Sequence, residues 1–93
     1  MDKHKVREKQ ERAEKAAALL RNELFNEAFE YLEIQFVDAW KGSDIKDSDN
    51  RERLYYLSQA LTALKGYFQS AVEDGKLAEA QLEDLQRRIN FNR

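Results

Sequence analysis

Six apolar residues of this chain recur at alternating intervals of three and four, and this spacing is the feature that most constrains the fold. They are Leu54, Leu57, Leu61, Leu64, Phe68 and Ala71. Residues at this spacing stack along one side of an α-helix and form a seam that another helix must cover. These six residues, called the ladder below, therefore predict a protein built from packed helices.

The length of the chain limits how much core it can form. A chain of 93 residues fits one small domain, and such a domain buries only about 60–65% of the surface of its unfolded chain. We therefore expect oligomerisation to supplement the core. Aromatic residues make up 11% of the chain, which is too many for a wholly disordered protein. The chain has no proline, the residue that most strongly breaks a helix, so long helices are possible.

Several classes of protein are excluded by what the sequence lacks. The chain has no cysteine, which rules out disulfides and thiolate metal sites. No segment approaches the ~20 apolar residues of a membrane-spanning helix. The first residues, Met1 to Lys5, lack the apolar stretch of a secretory signal. We therefore expect a cytoplasmic protein.

The first 18 residues are rich in charge and in good helix formers. They carry six basic and four acidic side chains, and only Val6 and Ala13 fall near the line of Leu20. Mixed charge runs of this kind are usually solvated helix faces. The predicted domain organisation is therefore a charged helical extension over residues 1–18, partly disordered, followed by a helical hairpin and a C-terminal helix over residues 19–93.

The segment from Leu20 to Trp40 has the pattern of an amphipathic helix. Its apolar residues cover roughly half of the helix circumference, and glutamates occupy the opposite side, where Ile34 and Val37 interrupt them. An apolar arc of this width exceeds the narrow stripe of a two-stranded coiled coil. It therefore predicts contact with more than one neighbouring helix.

Residues 42–50 form the one clear loop. Gly42 is expected to end the first helix in a left-handed conformation, and Asp47, Ser48 or Asp49 is expected to cap the second. The second helix is predicted to run from about residue 50 to 74. It carries the ladder and a parallel line of residues, and Gly66 inside it could allow another backbone to approach closely. That line consists of Tyr56, Ala60, Ala63 and Tyr67.

Gly75 stands where a second helix stop is expected, between Asp74 and Lys76. A short third helix is predicted over residues 78–89, with an apolar face that contains Leu82 and Leu85. Phe91 follows as a loose apolar residue in a polar tail. The predicted fold class is all-α: an antiparallel helical hairpin with a long first helix and a short third helix, assembling into an oligomeric helical bundle.

The sequence offers no constellation that supports catalysis or metal binding. His4 is the only histidine and lies near the start of the charged segment. The loop acids fail the EF-hand spacing, because Lys46 or Arg51 occupies a required ligand position. Phosphate-binding loops and nucleophile elbows are absent. We therefore predict no enzyme activity, no catalytic, metal or cofactor-binding residue, and no small-molecule substrate.

The aromatic residues of the two main helices are the candidate interface. Base stacking would require basic residues interleaved with them, so packing against a protein is the favoured interpretation. The candidate interface residues are Phe25, Phe29, Phe36, Trp40, Tyr56 and Tyr67. An alternative is weak phosphate binding by the basic residues of the N-terminal segment. The residues for this alternative are Lys3, Lys5, Arg7 and Lys9.

Four stretches of the sequence can be compared with known proteins: residues 19–29, residues 38–41, residues 49–54 and residues 73–78. Together they resemble small helical proteins of tailed bacteriophages and prophages that are encoded near head and DNA-packaging genes. The resemblance covers about residues 19–86 and transfers no functional residue. It implies a virion-assembly or packaging accessory of scaffold or small-terminase type, located in the host cytoplasm or on the virion. A basic recognition helix, which a small terminase would need, is not evident.

Three functional hypotheses follow. The first is a non-enzymatic, self-associating helical protein that binds itself and another phage or host protein. The second is a nucleic-acid-binding accessory that uses the basic N-terminal segment. The third is a phage-encoded inhibitor of a host protein.

Overall fold

The fold is all-α, as the sequence predicts. The computed structural model describes residues 2–91. It contains three helices, α1 (Lys3–Arg21), α2 (Glu23–Lys41) and α3 (Ser48–Phe91). Within this part of the chain no strand is present. The side chain of Phe91 lies outside the described part, so the prediction that it is a loose apolar residue stays a prediction.

A break at Asn22 separates α1 from α2 within what the sequence presents as one continuous helical segment. Asn22 has an extended backbone, with φ −74° and ψ 122°. Its side-chain oxygen accepts a hydrogen bond from the backbone N–H of Phe25 at 2.9 Å. Asparagine favours this N-cap role because it satisfies a backbone donor that has no partner inside the helix. Glu23 in the first turn adds a favourable charge at the helix N-terminus.

The loop between α2 and α3 is shorter than predicted and is held by its own polar groups. The backbone N–H of Gly42 donates to the carbonyl of Asp38 at 2.9 Å. Gly42 has a right-handed φ of −81°, so the predicted left-handed helix stop is wrong. Of the three capping candidates, Asp47 accepts from the backbone N–H of Asn50 at 3.4 Å, and α3 begins at the next residue.

Helix α3 continues through Gly75, so the predicted helix stop and the separate third helix are wrong. The helix spans 44 residues, and Gly75 is buried in it without a positive φ. A Cβ built at Gly75 would lie 2.2 Å from the Cβ of Ala13 and 3.2 Å from the carbonyl oxygen of Lys9. Glycine is therefore required at position 75 because α1 crosses α3 closely there.

Gly66 does not make room for a second backbone, as its position inside the helix had suggested. A Cβ built at Gly66 meets nothing within 4 Å. The close approach of a second backbone occurs at Gly75 instead. Gly66 therefore only weakens the helix, by about 1 kcal/mol relative to alanine.

The described chain divides into two compact units, and α3 contributes to both. The first unit combines residues up to Leu20 with those from Tyr67 onward, and the second unit is Arg21–Gly66. Each unit pairs one of the shorter helices with one part of α3.

In the first unit, α1 packs antiparallel to the second part of α3. The guanidinium of Arg12 donates a hydrogen bond to the hydroxyl of Tyr67 and lies 4.9 Å from the centre of its ring. Earlier residues of α1 pack against later residues of α3, as at Gly75. The buried residues of this unit are Val6, Ala16, Ala71 and Ala78. Residues of the 1–18 segment thus contribute to the core, whereas the sequence indicated a solvated extension.

In the second unit, α2 and the first part of α3 form an antiparallel helical hairpin. The guanidinium of Arg51 lies 4.2 Å from the centre of the Trp40 ring, close to the connecting loop. Phe29, Leu54 and Leu61 are the buried apolar residues of the hairpin. The rings of Phe25 and Phe29 contact each other at a tilt of 57°, with their centres 4.8 Å apart. The hairpin is the part of the fold that presents the candidate site.

The ladder is only partly covered. Leu54, Leu61 and Ala71 are buried, but Leu57 and Leu64 are exposed. Within the hairpin, the positions that complete the covered seam are 58 and 65, one residue further along. Helix α3 is therefore rotated about its axis relative to the predicted orientation, and this rotation places Leu57 and Leu64 on one side of the hairpin.

Candidate interaction surface

Three large apolar side chains on one side of helix α2 are exposed to solvent. Leu24 is 72% exposed, Tyr31 is 60% exposed and Leu32 is 39% exposed. Ala28, which is also exposed, lies between them. These residues occupy one edge of the apolar arc of α2, and the covered part is the middle of the arc, at Phe25, Phe29 and Phe36.

Helix α3 has a matching line. Leu57 is 42% exposed and Leu64 is 50% exposed, and the exposed Ala60 lies between them. Tyr56 continues this apolar surface outward. The hairpin therefore has an uncovered apolar strip on each of its two helices.

The two strips lie on the same side of the hairpin. On α2, the line through Leu24, Ala28 and Tyr31 is displaced by about a third of a turn from the covered seam, at 100° per residue. On α3, the line through Leu57, Ala60 and Leu64 is displaced from its seam by a similar angle in the same rotational sense. In an antiparallel pair, displacements of the same sense bring both strips to one side. We call the resulting surface the hairpin face: Leu24, Ala28, Tyr31, Leu32, Leu57, Ala60 and Leu64.

The opposite side of the hairpin confirms this geometry. A groove of about 190 Å³ runs there between the helices, and Val37, Trp40 and Tyr55 are among the residues that line it. Arg51 closes one end, because its guanidinium covers the Trp40 ring and donates to the hydroxyl of Ser43 at 2.9 Å. On this side Arg51 covers part of the Trp40 ring, although Val37, Trp40 and Tyr55 are themselves exposed.

The structure places the six predicted interface residues in three environments. Phe29 is buried, and Phe25 and Phe36 are half-buried, so the phenylalanines serve mainly to join α2 to α3. Trp40 is exposed but stacks with Arg51. Tyr56 and Tyr67 are exposed, in the second and the first unit respectively. The six therefore do not form one surface.

Sequence reasoning missed five large residues of the hairpin face as interface candidates. They are Leu24, Tyr31, Leu32, Leu57 and Leu64. A signal for them existed, because Leu24 and Tyr31 lie at one edge of the wide apolar arc of α2. The two leucines were assigned to the inner seam, since a ladder spaced by three and four does not say which of its two lines faces the partner helix.

Tyr56 lies at the edge of the hairpin face and is held by a polar contact along its own helix. Its hydroxyl donates a hydrogen bond to Glu52 Oε1 at 3.2 Å. This hydrogen bond to the negatively charged Glu52, together with the charge itself, raises the pKa of Tyr56 above its ordinary value of 10.0.

Replacing Glu52 by glutamine should therefore lower the pKa of Tyr56. The measurement is the titration of the Tyr56 ring carbon resonance by NMR in both proteins. Because the folded-state pKa is raised, the contribution of this contact to stability is present below the unfolded pKa and is lost as the pH rises through the folded pKa. An unchanged Tyr56 titration in Glu52→Gln would show that the contact does not persist in solution.

The four basic residues of the nucleic-acid alternative do not share one side of α1. Lys3, Lys5, Arg7 and Lys9 are all exposed. Lys3 and Arg7 lie on one side of the helix, while Lys5 and Lys9 lie roughly opposite them. Glu8 lies between them in sequence and contacts His4, with 2.9 Å between its carboxylate and Nε2. The arrangement does not make the single basic stripe that phosphate backbones favour.

The described residues contain neither a cluster of metal ligands nor a helix that could span a membrane. Over residues 2–91, no three histidine or carboxylate side chains are grouped so that they could hold a metal ion. In the same range, no helix has the length and apolar content to cross a membrane.

Comparisons with known proteins supply no assignment. No protein-family model matches the chain, and no related curated protein and no similar solved structure is found.

Proposed function

We propose that this protein is a self-associating helical interaction module whose hairpin face packs against the same face of a second copy. The observation that supports this proposal is the exposure of seven apolar residues on one side of two adjacent helices. Contiguous exposed apolar surfaces of this kind commonly mark protein interaction sites. Two hairpins joined through such faces form a four-helix bundle, which is a common way to cover amphipathic helices.

The area available around the hairpin face indicates the class of interface that it can form. Helix α2 has 19 residues and is therefore about 28 Å long, and two packed helices are about 20 Å wide. The whole side of the hairpin that carries the hairpin face then has an area of about 560 Å² on each copy. If all of that side is covered in the dimer, the total is about 1,100 Å², near the lower limit for specific interfaces. We therefore expect a dimer with a dissociation constant in the micromolar range.

The proposed biological role is that of a non-enzymatic accessory in phage virion assembly or DNA packaging. The support for this role is the resemblance of residues 19–86 to small helical phage proteins. A module that dimerises through one side of its hairpin keeps the opposite side of the hairpin available for another assembly protein. Affinity capture from infected cells tests the role, and recovery of capsid, portal or terminase proteins is the expected result.

Solvent accessibility measured by NMR tests the hairpin face directly. At about 200 μM, most of the protein should be dimeric if the dissociation constant is micromolar. A soluble paramagnetic agent should then broaden the methyl signals of Ile45 and Leu77 but spare those of Leu24, Leu57 and Leu64. Ile45 and Leu77 are matched controls because they are exposed and lie off the hairpin face.

Dilution separates dimerisation from local shielding. Below about 1 μM, broadening of the three face leucines should approach that of the controls, because the dimer dissociates. Equal broadening of all five residues at the high concentration would contradict the proposal.

A further inference from the structure

We infer that the two copies are related by a two-fold axis parallel to the helices, so that α2 of each copy lies on α3 of the other. This inference rests on the proposed self-association and specifies its geometry. Two isologous arrangements are possible for a pair of two-helix faces. The first places α2 on α3, and the second, with the axis perpendicular to the helices, places α2 on α2 and α3 on α3.

The hairpin contacts determine which residues lie at the same height. Arg51 stacks on Trp40, and Val37 lines a groove with Leu54 and Tyr55. Both helices rise 1.5 Å per residue in opposite directions. Positions whose numbers add to about 91 therefore lie level with each other, such as 31 with 60 and 38 with 53. An axis parallel to the helices keeps these heights in the second copy.

In the first arrangement, large residues of one copy meet small residues of the other. Tyr31 lies level with Ala60 of the second copy, and Ala28 lies level with its Leu64. Interdigitation of large and small side chains is what close packing of helices requires. At these two levels the hairpin face therefore complements itself in shape when α2 lies on α3.

The charged residues at the end of the hairpin face also favour the first arrangement. Asp38 is exposed on α2, two turns beyond Tyr31, and Arg53 is exposed on α3, two turns before Ala60. The first arrangement brings Asp38 of each copy level with Arg53 of the other. Opposite charges at the rim of an interface favour one alignment over its competitors.

The second arrangement lacks both kinds of complementarity. When its axis lies at the height of Tyr31, Tyr31 meets Tyr31 of the second copy and Ala60 meets Ala60. Asp38 then lies on the exposed Leu24 of the other copy. Two bulky rings would oppose each other while two small residues leave a gap, which lowers packing density.

Disulfide cross-linking distinguishes the two arrangements. The chain contains no cysteine, so single substitutions give unambiguous partners. Asp38→Cys and Arg53→Cys chains are mixed at about 200 μM, where the dimer is expected, and oxidised. Tyr31→Cys alone is treated in the same way. The first arrangement predicts disulfide-linked dimers that contain one chain of each kind from the mixture, and little linkage of Tyr31→Cys to itself.

The outcomes separate the inference from the proposed function. Efficient linkage of Tyr31→Cys to itself, with none between positions 38 and 53, would overturn the inference but leave self-association intact. A protein that sediments as a monomer at the same concentration and forms neither linkage would overturn both. Random collisions between monomers could also link positions 38 and 53. A mixture of Leu77→Cys and Arg53→Cys controls for such collisions, and this pair should not link.

Discussion

Replacing Leu57 and Leu64 together by glutamate should convert the protein from a dimer to a monomer without unfolding it. Both leucines are exposed in the single chain, and glutamate is a good helix former, so the cost to the fold should be small. In the dimer, each copy would have to bury two carboxylates without partners. Burying an unpaired charge costs several kcal/mol, so we expect association to weaken by at least about 100-fold.

Light scattering and circular dichroism, measured on the same sample, check this prediction. The expected result is the monomer mass with an unchanged helical spectrum. Leu77→Glu is the matched control, because Leu77 is 59% exposed on the same helix but lies outside the hairpin face. That variant should remain dimeric. A dimer that persists with both glutamates would show that another surface mediates association.

The two glycines of α3 should respond to alanine with opposite signs. Gly75→Ala introduces a Cβ that would lie 2.2 Å from the Cβ of Ala13, so α1 must move away. Overpacking of this kind costs about 1–3 kcal/mol, of which the better helix propensity of alanine offsets up to about 1 kcal/mol. Gly66→Ala adds a methyl group in open space and should stabilise the protein by about 0.5–1 kcal/mol.

Urea denaturation of both variants measures these changes in the free energy of unfolding. The double variant Gly75→Ala with Ala13→Gly removes the closest of the clashing atoms and should recover part of the loss. Stabilisation by Gly75→Ala would contradict the close crossing of α1 and α3. Destabilisation by Gly66→Ala would show that position 66 is covered in solution.

Features encoded by neighbouring residues were predictable from the sequence. The all-α class follows from the ladder and from the absence of proline. The loop before α3 follows from its glycine and its cluster of short polar residues, which compete with helical hydrogen bonding. Asp47 was among the capping candidates. Each of these signals acts within a few residues of its effect.

The errors concern features that depend on distant parts of the chain. A glycine after a helical segment usually reports a helix stop, but Gly75 is accommodated inside α3 because Ala13 lies against it. Residues 1–18 have few large apolar side chains, yet Val6 and Ala16 are buried. Small residues let two helices cross closely, and such a crossing does not need large apolar side chains. Such a crossing is visible only once both helices are placed.

The candidate surface was predictable only as an excess of apolar area. The sequence showed that the arc of α2 is too wide for one neighbour. It did not show which part of the arc α3 covers or which line of α3 faces α2. In the structure the phenylalanines in the middle of the arc are covered and positions 58 and 65 complete the seam of α3, so Leu57 and Leu64 stay exposed. This packing moves the candidate interface from the phenylalanines of α2 to Leu24 and Tyr31.

The central claim is that the hairpin face joins two copies of this chain. Sedimentation velocity of the unmodified protein between about 1 and 100 μM, a range that spans a micromolar dissociation constant, tests it most directly. We predict a concentration-dependent shift from the chain mass of 11.0 kDa to twice that value. A folded, helical protein that sediments at the single-chain mass over the whole range would contradict the account.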